Sequence, residues 1–184
     1  MSMQNEPFSA QGGSAIDTLV HEHDAVKGLL QRLRSARATA ERQQCLQEIQ
    51  QLLTVHNATE ENLIYPALNK IAGHKLEPLK LYNETAQADM MLFDLDTMLK
   101  TGELDDFEKK AERFAKAVME HIDDEESKAF QHLRDEAEPQ EMRMLNESFL
   151  RFRESLFEAA AADEVTGSAS VRGTVESPSR TTPL

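Results

Sequence analysis

The chain has no tryptophan, one cysteine, and only 7 glycines and 6 prolines in 184 residues. So few turn-forming residues, beside a 40% hydrophobic content able to build a core, favour helices over a turn-rich β fold. The lone Cys45 rules out an intrachain disulfide and fits a reducing compartment. No stretch approaches the roughly 20 apolar residues of a membrane span. The N-terminus also lacks the basic region and apolar run of a secretory signal, so a soluble cytoplasmic protein is expected. Positive charge is in short supply as well. A net charge of −13 argues against nucleic acid or an anionic membrane as partner, because either would be repelled. The length fits one domain with tails.

What is present is helical periodicity. Residues 1–13 read as a flexible arm, and Ser14 with Asp17 makes a start signal for a first helix. Ile16, Leu19, His23, Val26, Leu30 and Leu33 follow it in steps of three and four, the inward stripe of a bundle helix. Thr39 is the expected cap of a second helix with the stripe Leu46, Ile49, Leu53, His56, Glu60, Leu63 and Ala67. Pro66 should kink or end it, and Gly73 marks the stop. A third helix is expected from about Glu77 to Lys100, with Leu81, Thr85, Ala88, Leu92, Leu95 and Leu99 inward and Gly102 closing it. The fourth carries Phe107, Ala111, Phe114, Val118, His121 and Glu125 and reaches about Asp135. Short connections make neighbours antiparallel, so the fold class expected is all-α, an up-down-up-down four-helix bundle over 14–136. An extra C-terminal helix over 137–162 follows, with Met142, Leu145, Phe149, Phe152 and Leu156 on one face, and either packs across the outside of the bundle or offers a surface for a protein partner. Ser, Thr, Gly and Pro dominate 163–184, which reads as a disordered tail.

The inward stripes carry polar residues that a core does not need. His56 precedes Glu60 by four residues and His121 precedes Glu125 by four, so each pair leaves one helix face. His23 adds a third imidazole. Taken singly, each is better explained by a hydrogen-bonded core histidine or a helix ion pair. Together they would cost several kcal/mol if left unpaired. A metal ion held by nitrogen and oxygen donors answers that cost, and a donor set without thiolate suits iron, manganese or zinc. Two carboxylates reaching the midline favour a dinuclear centre, with ions about 3.5–4 Å apart. A ferritin-like site would need Glu-x-x-His on a core stripe, and none occurs.

These residues carry a family resemblance. His23-Asp24, then His56-x3-Glu60-Glu61 with Tyr65-Pro66-Ala67-Leu68, then His121-x3-Glu125-Glu126 with Phe130, resemble the hemerythrin-like HHE cation-binding domain over about residues 14–135. The resemblance implies a four-helix bundle around a non-haem di-iron centre that binds or senses dioxygen, nitric oxide or iron, some members serving iron-centre repair. It implies terminal imidazole ligands at His23, His56 and His121, and bridging carboxylates at Glu60 and Glu125. It also implies a histidine on helix three, where this chain has Thr85. Either Glu84 or Asp89, beside that station, is the replacement oxygen ligand or the site is open or weakened there, and Glu84 is placed in the metal set. The expected centre is therefore lopsided, furnished near His23 and His56 and poor near His121.

Weaker features are read as follows. Asp24, Glu61 and Glu126 are either acceptors for imidazole N–H groups or solvated helix faces, the second reading being preferred. Tyr65 and Tyr82 either approach the centre or serve packing, the second reading being preferred, and Met90, Met91 and Met98 are read as core filling. His21, His74 and His132 are read as peripheral or solvated, and Cys45 as unreactive. Three functions remain: a small-ligand binding or sensing protein, a redox enzyme on the same metals in oxidative or nitrosative stress, or a metal-poor bundle acting as an interaction module.

Overall fold

The computed structural model describes residues 13–72 and 78–170, and its regular elements are all helices, with no strand among the described residues. Helix α1 (Ala15–Ser35), α2 (Thr39–Thr59), α4 (Pro78–Thr101) and α5 (Phe107–Asp124) form the four-helix bundle that the periodicity predicts. Each is packed on two neighbours, α1 on α2 and α5, and α4 on α2 and α5, so the ring is closed. Gly73, His74 and the segments 1–12 and 171–184 lie outside the described residues.

The helix starts show how local chemistry sets the boundaries. Ser14 accepts the Asp17 N–H at 3.2 Å while Asp17 accepts the Ser14 N–H at 3.3 Å, a complete capping box. Replacing Ser14 by Ala should cost about 1 kcal/mol in a urea titration, the usual worth of such a cap. Thr39 is not a cap. It is the first helical residue of α2, and the orphan amides of Arg37 and Ala38 are taken by the Glu41 carboxylate. Gly102 ends α4 at φ +77, where the absence of a Cβ removes the strain, and its N–H returns to the Met98 carbonyl at 3.0 Å.

Two π-helical turns break the regular pattern, Glu60–Ile64 after α2 and Glu125–Ala129 after α5. Each begins at the glutamate of a His-x3-Glu pair. The N–H of Tyr65 reaches the carbonyl of Glu60, and that of Phe130 the carbonyl of Glu125, one residue farther back than in an α-helix. The helices then continue as α3 (Tyr65–Ala72) and α6 (Phe130–Glu136). Pro66 does not end the helix, because it sits in the first turn of α3, just after the π turn has reset the ladder. The inserted residue also shifts the buried stripe. Ile64, Tyr65 and Leu68 are fully buried, while Leu63 and Ala67, the expected inward pair, are only partly so.

The core is divided. Val26, Leu30, Ile49, Leu95, Phe114 and their neighbours fill one end of the bundle; Ile16, Leu19, Ile64, Leu68, Phe130 and Leu133 fill the other. On each helix the polar station falls between these two clusters: His23 between Leu19 and Val26, His56 and Glu60 between Leu53 and Ile64, Thr85 between Leu81 and Ala88, and His121 and Glu125 between Val118 and Ala129. The polar layer is thus closed by apolar packing on both sides. Met90, expected in the core, is 70% exposed, whereas Met91 and Met98 pack against the first cluster.

Helix α7 (Pro139–Ser170) extends past the expected end at 162. It lies against α1, α2 and the first π turn, with Phe149 buried in the second cluster. Its Asn146 side chain accepts the Ala15 N–H at 2.8 Å, so α7 also helps cap α1. No helix among the described residues is long and apolar enough to cross a membrane.

Candidate metal centre

The centre is built from the helix positions that the two π turns and the apolar clusters hold rigid. One ligand atom from each of His23, His56, Glu60 and Glu125 lies within 4.8 Å of all the others, and all four residues are buried. The Nε2 atoms of His23 and His56 face each other at 3.1 Å. Glu125 Oε2 stands 3.2 Å from His23 Nε2, and Glu60 Oε1 stands 3.2 Å from His56 Nε2. His121 Nε2 stands beside this group, 3.4 Å from Glu125 Oε1.

The outer ring nitrogens decide what the inner ones can do. His23 Nδ1 lies 3.0 Å from Glu126, His56 Nδ1 2.9 Å from Glu22, and His121 Nδ1 3.2 Å from Glu84. A carboxylate only accepts, so in each ring Nδ1 is the donor and the neutral imidazole leaves a lone pair on Nε2. His23 and His56 then turn two lone pairs toward each other, and neutral rings cannot bond that way. Nearby, Glu60 Oε1 and Glu125 Oε2 are buried with no hydrogen-bond partner. Four electron-rich atoms therefore converge on a closed, water-poor point. That is the arrangement of a cation site. Bonds of about 2.0–2.2 Å to nitrogen and oxygen put opposite ligands roughly 4–4.4 Å apart, close to the spread found here.

Without a metal, protons must serve. Burial alone would lower the His56 pKa, but the charge of the nearby Glu60 carboxylate and the hydrogen bond to Glu22 outweigh it and push it up to about 10. Burial and the charge of Glu125 raise the Glu60 carboxyl. Burial also tends to raise Glu125, yet the close approach of His23 and the other surrounding imidazoles holds it below its ordinary value. The Tyr65 phenol is raised by burial and by the charges of Glu60 and Glu125, so it stays a neutral donor.

The hemerythrin HHE cation-binding domain model matches residues 14–133, most of the chain. The chain belongs to that family. Among curated proteins, none matches it. As a hemerythrin HHE domain with a buried His/Glu cluster, it is a metal-binding protein.

Within this HHE domain the residues expected from the sequence separate into three groups. His23, His56, Glu60 and Glu125 are brought together, and His121 adjoins them. Glu84 is not brought in: it lies on the outer side of His121, bound to Nδ1 and to Lys80, because α4 presents Thr85 and not Glu84 to the interior. Asp89 is exposed and accepts from Asn57 at 3.2 Å. Asp24 pairs with Lys27 at the surface. Glu126 is more than a solvated charge, since it holds His23 Nδ1.

Two tyrosines also do more than the sequence suggested, and two residues were missed. Tyr65 is central: its hydroxyl donates to Glu125 at 2.7 Å and stands 3.4 Å from both Thr85 Oγ1 and His121 Nε2. Nine α-helical residues at about 100° each would set Tyr65 half a turn away from His56; the extra residue of the π turn takes back about 100° of that. Tyr82 donates to the Glu61 carbonyl at 2.8 Å and meets the Tyr65 ring edge-on, so it braces the central tyrosine. Glu22 and Arg153, both buried, were missed. The signal was the spacing: Glu22 follows Leu19 by three residues, and Arg153 follows Phe149 by four. Cys45 is buried in the first cluster, where burial raises its thiol pKa, and it has no place in the centre.

Proposed function

We propose that this HHE domain holds non-haem iron, two ions when fully loaded, and uses it to bind or sense a small diatomic ligand (dioxygen or nitric oxide) or iron itself. The observation that carries the metal part is the pair of partnerless buried oxygens on Glu60 and Glu125, facing two imidazole lone pairs. A metal-poor interaction module would have no use for them, since each costs about 1–3 kcal/mol unmet. His23, His56, Glu60 and Glu125 would hold the better-furnished position. His121, with its share of Glu125, would hold the poorer one.

The donor-poor side supports the ligand part. Thr85 brings a hydroxyl where the family arrangement has imidazole, and the Tyr65 hydroxyl stands beside it. Bound iron supplies a Lewis-acidic, redox-active centre for a diatomic ligand. The protein supplies a buried phenol whose one proton holds Glu125 in place there, and two apolar clusters that limit water. Replacing Tyr65 by Phe should lower metal retention about tenfold in a chelator competition, because Glu125 loses the donor that fixes its orientation.

Metal analysis of the protein made in iron-supplied cells tests the reading. At least one iron per chain is expected, with an optical spectrum that changes on adding dioxygen or nitric oxide. Fewer than about 0.2 ions per chain, with no uptake on reconstitution, would overturn it. Manganese or zinc in place of iron would overturn the choice of metal alone. Steady consumption of peroxide or nitric oxide would make the protein an enzyme.

A further inference from the structure

Of the three imidazoles at the centre, only His56 is held from behind by a fully buried carboxylate. Glu126 and Glu84, which hold His23 and His121, have partly exposed side chains, at 31% and 26%. Glu22, which accepts from His56 Nδ1 at 2.9 Å, is 2% exposed. A carboxylate that deep needs a cation, and here α7 delivers it. Both guanidinium nitrogens of Arg153 reach Glu22, one to each oxygen, with Nη1 to Oε2 at 3.2 Å. The fork is held in place by its own helix, with the guanidinium 5.3 Å from the Phe149 ring centre and 5.8 Å from that of Phe157. Glu22 also lines a cleft between α1 and α2 that Arg153 and Phe157 border, so α7 closes one side of the approach to this carboxylate.

α7 begins after residue 133, beyond the part of the chain that matches the family. We propose that α7 is a working part of the metal centre: through Arg153 and Glu22 its docking orients the His56 ring, so metal binding and α7 docking strengthen each other. This rests on the metal-binding reading above. Arg153 acts as a positioning residue through Glu22 and touches neither metal nor ligand. Without its guanidinium, Glu22 is free to turn away and the ring loses its fixed direction. The coupling is reciprocal by necessity: whatever α7 contributes to metal affinity, metal must return to α7 docking.

The test uses the full chain as wild type, Arg153→Met and, as control, Arg134→Met, which deletes an exposed pair with Asp17. Cobalt(II) alone is the probe, with two readouts: retention against a chelator, and amide exchange over residues 142–157 with and without metal. In the wild type, loading should slow exchange in α7. Arg153→Met should retain cobalt at least tenfold less well, the usual effect of losing a ligand's supporting partner, and its α7 exchange should no longer respond to metal. Its His56 ring-nitrogen resonances should move while those of His121 stay. Arg134→Met should behave as the wild type. If the wild type takes up neither cobalt nor iron, the metal reading fails and this proposal falls with it. If the wild type loads normally and Arg153→Met retains metal equally well with metal-responsive α7 exchange, this proposal alone is overturned. Should Arg153→Met fail to fold, Arg153→Lys decides: it keeps the charge without the fork, and retention equal to wild type overturns the proposal.

Discussion

Glu125→Ala is expected to bring the full chain below about 0.2 ions per chain under conditions that load the wild type. Glu125 joins the His23 side of the centre to the His121 side. Glu125 Oε2 is partnerless and lies 3.2 Å from His23 Nε2; Oε1 receives the Tyr65 hydroxyl at 2.7 Å and faces His121 Nε2 at 3.4 Å. Removing this carboxylate takes a donor from both halves of the site at once. It also frees the tyrosine and two imidazoles that it orients. The loss should exceed about 100-fold in affinity, beyond the range for a supporting partner alone. Glu126→Gln gives the scale, because the amide oxygen still accepts from His23 Nδ1, so its loss should be tenfold or less. Metal content and circular dichroism on both variants check the comparison. If Glu125→Ala kept wild-type metal with an intact fold, the centre would not be built around this carboxylate.

The contrast between those two glutamates also marks what the sequence made legible. A four-residue step on an apolar stripe is a strong signal, because an α-helix admits few ways to satisfy it, and it located His56, Glu60, His121 and Glu125 before any coordinates. The bundle followed from the same periodicity. Tyr65 was misread because its position depends on a π turn, and nothing in the local periodicity announces an extra residue until the stripe has already slipped from Leu63 and Ala67 to Ile64 and Leu68. Glu126 looked like one charge of an acidic run, and its role depends on α1 lying beside α5. Glu22 and Arg153 lie 131 positions apart and explain each other only once α7 is docked on α1. Periodicity reads a helix face well. It cannot say which buried charge on one helix meets which on another.

In the metal-free protein, Glu60→Gln should raise stability, even though it weakens metal binding. Glu60 is 0% exposed with Oε1 partnerless, and burial together with the charge of Glu125 holds its carboxyl above the ordinary value of 4.5. An acid whose pKa rises on folding destabilises the fold at every pH above its ordinary value, and the penalty grows until the folded-state value is passed. The amide removes that penalty, and its oxygen can still accept from the protonated His56 Nε2, which is 3.2 Å from Oε1. Relief of a buried charge conflict of this kind is worth about 2 kcal/mol, or roughly 4–8 °C in Tm for a chain of this size. The gain should be largest near neutral pH and shrink to nothing toward about pH 4, where Glu60 carries a proton in both the folded and unfolded states. Thermal melts in the presence of a chelator, at pH 7 and pH 4, measure it. With metal bound the sign should reverse, because the amide is a poorer donor than the carboxylate and the binding energy that offset the strain is lost. A residue that stabilises the protein only when a cation is present is held for the cation. If Glu60→Gln destabilised the metal-free protein at neutral pH, Glu60 would be a structural hydrogen-bonding group and not a ligand in waiting.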